Sequence, residues 1–113
     1  MLRKCASSLA IIAVVLPAAA WAAPPQVFEA ASKLTLSKSE CIQRAKTILG
    51  ENSFTVVTTS VDPNSDIVIG ERGDFAAFIR CDMGDGIAVF VVAGPNQQQS
   101  QTLDYVTTIW KNF

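Results

Sequence analysis

Histidine is absent from this sequence of 113 residues, tyrosine occurs once and cysteine three times. A chain without histidine cannot build a Ser-His-Asp or Cys-His catalytic set, and it lacks the commonest ligand of zinc and copper sites. The sequence also contains no Cys-x-x-Cys motif and no glycine-rich loop that could hold a phosphate group. We therefore expect no bound metal, no cofactor and no histidine-activated nucleophile.

Clusters of lysine and arginine are missing as well. The chain carries nine basic and ten acidic residues. Two of the basic residues, Arg3 and Lys4, belong to an N-terminal segment that we expect to be removed, which leaves seven basic residues and a net charge of −3. Nucleic acids and anionic membrane surfaces bind basic patches, so the composition predicts neither of them as a partner.

Residues 1–22 have the features of a secretory signal peptide. A basic start precedes the apolar run 9–16, and residues 20–22 (AWA) give the small-x-small pattern of a cleavage site. The apolar stretch is interrupted by Pro17 and is shorter than the ~20 residues of a membrane-spanning helix. We expect cleavage after residue 22 and a periplasmic or secreted protein with no membrane attachment, the alternative being a retained N-terminal anchor.

The cysteines that remain after this cleavage are Cys41 and Cys81, since Cys5 would leave with the signal peptide. An even number of cysteines in an oxidising compartment is typical of a disulfide bond. A redox or metal-binding pair is the alternative, but the spacing is not that of a redox motif and no histidine completes a metal site. The sequence therefore predicts a structural disulfide between Cys41 and Cys81.

Two helices are predicted at opposite ends of the domain. The first begins at residues 37–40 (SKSE), which form a capping box, and ends at Gly50. Cys41 lies on its apolar stripe, in the first turn. The second helix follows the break at residues 94–95 and runs to the end of the chain. Thr102 is expected on its solvent side, and its apolar residues recur at helical spacing: Leu103, Val106, Ile109, Trp110 and Phe113.

Between the helices, the pattern is typical of β-structure. Four strands rich in β-branched and aromatic residues are predicted at 54–60, 66–71, 75–82 and 86–93. The proline-containing segment 23–32 is interpreted as a tether. The predicted fold class is α+β: a small single domain over residues 33–113 with a helix, a four-stranded antiparallel meander and a second helix. Two arrangements fit this pattern, with both helices on one face of the sheet or one on each face.

The pairing of the last two strands decides which residues face outwards. If Asp82 pairs with Gly86, Phe78 lies directly opposite Phe90 on the face that the first helix does not cover, with Arg80 beside them. An exposed aromatic pair forgoes burial worth ~1.5 to 3 kcal/mol for each side chain. We therefore predict that Phe78, Phe90 and Arg80 form a contact surface for a protein partner or a second copy. The alternative is that the N-terminal segment or the last helix covers the two rings.

These observations predict a small exported, non-catalytic binding protein of the bacterial cell envelope, of the inhibitor or accessory-subunit type. The alternative is a small periplasmic hydrolase, because acid–base hydrolysis needs only two carboxylates at a suitable separation. Clustering of Asp62, Asp74 and Asp85 around one concave pocket would favour the hydrolase, whereas dispersed aspartates on a flat surface would favour binding. The aspartates in predicted turns are Asp62, Asp66, Asp74, Asp82 and Asp85.

Overall fold

The computed structural model describes residues 24–57 and 65–113. The predicted signal peptide and its cleavage site lie outside the described residues, as do Asp62 and the end of the first predicted strand. In chain order, the elements are β1 (Gln26–Lys33), α1 (Lys38–Glu51), β2 (Thr55–Val57), β3 (Ile67–Arg72), β4 (Phe75–Asp82), β5 (Ile87–Gly94), a 3-10 turn (Asn96–Gln98) and α2 (Gln99–Asn112).

The strands form one antiparallel sheet in the order β1-β5-β4-β3-β2. The α+β class and the antiparallel meander of β2 to β5 are confirmed, but the sheet has five strands among the described residues rather than the four predicted. The prediction of a tether at residues 23–32 is wrong for most of this segment, because the chain from Gln26 onwards pairs with β5 along the whole of β1. Pro24 and Pro25 lie just before this strand, where their missing N–H groups remove no hydrogen bond from the sheet.

The predicted capping box starts α1. The backbone N–H of Glu40 donates to the Ser37 hydroxyl at 3.3 Å, and the Ser37 N–H donates to the Glu40 carboxylate at 3.2 Å. The helix ends at Glu51, one residue beyond the predicted end at Gly50. It packs on β2, β3 and β4 through four buried residues at helical spacing, Cys41, Ala45, Ile48 and Leu49.

The buried stripe of α2 is rotated from the predicted one. Leu103 and Trp110 were expected in the core, yet they are 47% and 40% exposed. Thr102 was expected in solvent, yet it is fully buried, because its hydroxyl donates to the Gln98 carbonyl of the preceding turn at 2.9 Å. With its polar atom satisfied in this way, the side chain can pack in the core. The buried residues of α2 are Thr102, Val106 and Ile109.

Both helices cover the same face of the sheet, which we call the inner face. The disulfide Cys41–Cys81 joins α1 to β4, as predicted, with a Cα–Cα distance of 6.1 Å. From α2, the Phe113 ring contacts Phe90 edge to face, with ring centroids 5.0 Å apart. Because Cys81 and Phe90 are both buried on this face, the arrangement is a two-layer one and the sandwich alternative is wrong.

Candidate functional site

The surface of the sheet opposite the helices, which we call the outer face, is unusually apolar. Directly paired residues share a face, so Val91, Phe78, Ile69 and Val57 form one row across four strands. A sheet with one solvated face normally alternates apolar and polar residues. The apolar middle of the outer face consists of Val57, Ile67, Ile69, Phe78, Val89 and Val91; its charged residues are Glu29, Lys33, Glu71, Arg80 and Asp82.

The predicted pairing of Phe78 with Phe90 is wrong. Asp82 pairs with Ile87 rather than with Gly86, so Phe78 lies opposite Val91. Gly86 has a φ of 67°, a left-handed conformation that places it in the turn rather than in the extended strand. A slip of one residue moves every side chain to the other face.

This change of register separates the two phenylalanines. Phe90 faces the helices and is fully buried, so it belongs to the core and not to a partner surface. Phe78 remains on the outer face and is 36% exposed. Arg80 lies on the same face and on the same strand, two residues away. Of the three predicted surface residues, the structure brings Phe78 and Arg80 together.

Arg80 is held in place by an ion pair. Its Nε donates to the Asp66 carboxylate at 3.2 Å, and the two side chains are 55% and 33% exposed. An exposed pair of this kind stabilises the fold by at most ~1 kcal/mol. The pair therefore orients the guanidinium beside the apolar row more than it stabilises the sheet. Arg80 lies between its cross-strand neighbours Val89 and Ile67.

The sequence of β5 itself contains a signal for the outer face. Residues 87–93 (IAVFVVA) are apolar at every position, whereas a strand with one solvated face would carry polar residues at alternate positions. Such a run indicates a strand with apolar surroundings on both sides. It could have placed Val89 and Val91 in a candidate contact surface before the register was known.

Of the described turn aspartates, Asp66, Asp82 and Asp85 lie at one end of the sheet, where the Cys81 N–H donates to the Asp66 carbonyl, and Asp74 lies at the other end. Asp74 lies in the β3–β4 turn and Asp85 in the β4–β5 turn, at opposite ends of an eight-residue strand. At ~3.4 Å for each residue, the strand separates them by about 24 Å, whereas the carboxylate pairs of glycosidases stand ~5 to 9.5 Å apart. The Asp85 N–H donates to the Asp82 carboxylate at 3.1 Å, which is a local turn contact.

A shallow depression of about 590 Å³ follows α1, on the helical side of the molecule. It is lined by Leu36, Ser39, Glu40, Gln43, Arg44 and Thr47. The hydrogen bonds that Glu40 accepts from the Ser37 hydroxyl and backbone hold the pKa of this carboxyl below its usual value. A general base works best with a pKa near the operating pH, so Glu40 is suited to capping the helix and not to taking up protons. Within residues 24–57 and 65–113, no group of three or more His, Cys, Asp or Glu residues could hold a metal ion.

Comparison with known proteins finds no matching family model, no matching curated protein and no matching solved structure. In the part of the chain that the structure describes, no helix is long and apolar enough to cross a membrane. The outer face is therefore the feature of this molecule that bears most directly on function.

Proposed function

We propose that the protein is a small exported, non-catalytic binding protein of the bacterial cell envelope, acting as an inhibitor or as an accessory subunit of a larger assembly. The observation that carries this proposal is the outer face, which is apolar in its middle and which no described element covers. Large exposed apolar patches on soluble proteins mark interaction sites. The partner expected for such a surface is another protein with an apolar patch of its own.

The side chains of the outer face are suited to binding. Phe78 offers a large ring, and its neighbours Val91 and Ile69 are β-branched, so few rotamers are lost when a partner orders them. Arg80 supplies a polar border, and arginine is enriched at protein interfaces. An arginine can also stack on an aromatic ring of a partner.

The scaffold behind this face is rigid. The Cys41–Cys81 bond ties β4, which carries Phe78 and Arg80, to the helix on the other side of the sheet. A contact surface that is already fixed in its bound geometry loses less conformational entropy on association. The sequence thus combines a rigid support with an apolar face, which favours binding over a purely structural role.

The alternative, hydrolysis by turn carboxylates, has less support. It requires two carboxylates on either side of one bond, but Asp74 and Asp85 lie at opposite ends of β4. At the Asp85 end of β4, the Asp66 carboxylate is paired with Arg80 and the Asp82 carboxylate accepts the Asp85 N–H, so both are engaged in local contacts. Asp62 lies outside the described residues.

Site-specific photo-crosslinking tests the proposal. A photoreactive phenylalanine analogue is placed at Phe78, and in a control variant at Lys46, an exposed residue of α1 on the far side of the molecule. We expect position 78 to yield one defined protein adduct in cells of the source organism and position 46 to yield none. Equal adducts from both positions, or no adduct from position 78, would contradict the proposal. An adduct of twice the mass of the chain would identify a second copy as the partner.

Affinity for the protein identified in this way is then measured with Phe78→Ser. Because a central aromatic contact contributes ~2 kcal/mol or more to binding, we expect a loss of about 30-fold or more. The matched control is Met83→Ser, which removes an apolar side chain that is 44% exposed in the β4–β5 turn, and it should bind normally. Phe90→Ser is unsuitable for this test because it removes a core residue. Unchanged affinity for a folded Phe78→Ser variant would exclude the outer face as the contact surface.

A further inference from the structure

The edge strand β1 offers a second interaction surface. It is eight residues long and pairs with β5 on one side only; on its other side the described part of the chain supplies no strand. No proline interrupts it. An unpaired strand edge of this length presents free N–H and C=O groups, which are a template for pairing with another chain.

The charges of β1 favour one particular pairing with itself. Two β1 strands can pair antiparallel around a two-fold axis perpendicular to the sheet. Residues opposite each other must then lie on the same face, which is possible only if one residue lies opposite its own copy at the axis. If that residue is Ala31, Glu29 of the first copy lies opposite Lys33 of the second, and Lys33 of the first lies opposite Glu29 of the second. An axis beside Glu29 or beside Lys33 would instead bring like charges together. The axis at Ala31 is therefore the one that gives two opposite-charge pairs.

The same axis also places the small and apolar residues of β1 opposite suitable partners in the second copy. Ala31, with its single methyl group, faces its own copy at the axis, where space is most limited. On the inner face, Phe28 lies opposite Leu34 of the second copy. Both side chains are partly buried hydrophobics that already pack against the core, so the pairing extends the core across the interface.

Two exposed apolar side chains of α2 lie on the flank that would meet the second copy. Leu103 and Trp110 are seven residues apart, which is about two helical turns, and both are exposed. Tyr105 points to the other flank, where its ring contacts Phe54 and Phe75 in the direction of α1. By helical geometry, Leu103 and Trp110 therefore face the free edge of β1.

The spacing of the layers fits this arrangement. α2 packs on β1 and β5 together, so the helix axis lies above the line between these two strands. The proposed two-fold axis lies on the other side of β1, about one strand spacing (~4.8 Å) from the helix axis. The α2 helices of two copies would then run side by side about 10 Å apart, close to the ~8 to 10 Å at which packed helices lie. The edge strand and the exposed flank of α2 thus point to the same partner.

We propose that two copies of this chain associate through β1 in an antiparallel, two-fold symmetric pair centred on Ala31. The two sheets join into one of ten strands, with Glu29–Lys33 pairs between the copies, and Leu103 and Trp110 of each α2 pack against the other copy. This interface leaves the outer face uncovered and does not depend on the function proposed for it.

Reversal of the charges on β1 tests the proposal in solution. The full chain is expressed, and the dimer dissociation constant of the purified protein is measured by sedimentation. We expect Lys33→Glu or Glu29→Lys alone to weaken the dimer about tenfold or more, because each creates two like-charge pairs. The double variant Glu29→Lys/Lys33→Glu should restore the dimer. Lys46→Glu, which reverses an exposed charge on α1, is the matched control and should have no effect.

A cysteine placed at the axis gives an independent test. Ala31→Cys should form a disulfide between two copies under mild oxidation, since the two Cα atoms would lie ~4.5 to 5.5 Å apart, within the ~4.4 to 6.8 Å that a disulfide spans. Val27→Cys on the same face should not, because its opposite residue would be Thr35. A monomeric protein, single charge variants that behave like Lys46→Glu, or equal crosslinking at positions 27 and 31 would overturn the proposal. A dimer lost in Phe78→Ser but not in Lys33→Glu would assign association to the outer face instead.

Discussion

Gly94, the last residue of β5, sets how closely α2 can approach the sheet. A Cβ atom at this position would lie 2.6 Å from two ring carbons of Phe75 and closer still to the Thr102 hydroxyl. Because Phe75 and Thr102 are themselves buried, neither can move aside freely. The requirement for glycine here is thus one of space, imposed by Thr102 of the helix above it and by Phe75 of the neighbouring strand.

We expect Gly94→Ala to lower the free energy of unfolding by ~1 to 3 kcal/mol, as overpacking of a dense core does. Gly50→Ala is the control, because a Cβ at Gly50 meets nothing within 4 Å and alanine favours the helix that contains it. Urea denaturation of both variants provides the comparison. Equal stability of the two variants would mean that α2 does not pack on β5 as closely as described.

Individual side chains also mark the limit of sequence-based prediction. Thr102 and Trp110 were assigned to the wrong sides of α2 because a hydrophobicity pattern takes threonine as polar and tryptophan as apolar. The hydrogen bond from Thr102 to the Gln98 carbonyl, which makes the threonine acceptable to the core, is not visible in the sequence. Local patterns located α2 correctly but not its rotation.

Among the elements, α1 depends on its cap, which the sequence did predict. Ser37 accepts from Glu40 and donates to it, so both groups stabilise the first turn. Ser37→Ala should lower the free energy of unfolding by ~1 kcal/mol. The same variant should raise the pKa of Glu40 towards its usual value, since the hydrogen bonds from Ser37 are what lowers it.

The pH dependence follows from the direction of this shift. A carboxyl whose pKa is lower in the folded than in the unfolded state stabilises the fold above its unfolded-state pKa, and this contribution is lost as the pH falls through the folded-state pKa. An NMR titration of Glu40 in the wild type and in Ser37→Ala measures the effect. Thr47→Ala, which removes another exposed hydroxyl from α1, should leave the Glu40 pKa unchanged. An identical pKa in all three proteins would show that the cap is not formed in solution.

The register of the β4–β5 hairpin decides which residues belong to the candidate site. Both strands were predicted within one residue of their observed bounds, yet the register was wrong because Gly86 was assigned to β5 instead of to the turn. The positive φ of Gly86 results from the conformation of the whole four-residue turn. Any glycine near a turn could adopt such a φ, so the sequence does not show which glycine does. An error of one residue, tolerable for a strand boundary, was enough to place Phe90 on the wrong face.

For the whole molecule, the disulfide is the main constraint. Cys41 and Cys81 are 40 residues apart, and closing a loop of this length in the unfolded chain corresponds to ~4 kcal/mol in the chain-entropy model. That is a large share of the ~5 to 15 kcal/mol by which small domains are stable. The bond, the fold class and the order of the meander were all predictable, because each is fixed by local patterns or by the count of cysteines.

We expect the double variant Cys41→Ala/Cys81→Ala to lose about 4 kcal/mol of stability in urea denaturation. Reduction of the wild type by dithiothreitol should give a loss of similar size, which serves as the control for the volume removed by alanine. A loss below ~1 kcal/mol in both experiments would contradict the pairing. The position of β1 in the sheet, in contrast, could not be predicted, because its partner β5 lies far away in the chain.

The pairing of β1 with β5 affects how the chain folds during its synthesis. Of the described strands, β1 leaves the ribosome first and β5 last, yet the two pair with each other, Lys33 with Ile87 and Gln26 with Gly94. Contacts between such distant residues form late, because a long loop must close before they are gained. A chain that stops short of Gly94 therefore leaves β1 without its neighbour and the inner face without α2. Strand β1 can therefore join the sheet only after β5 has been synthesised.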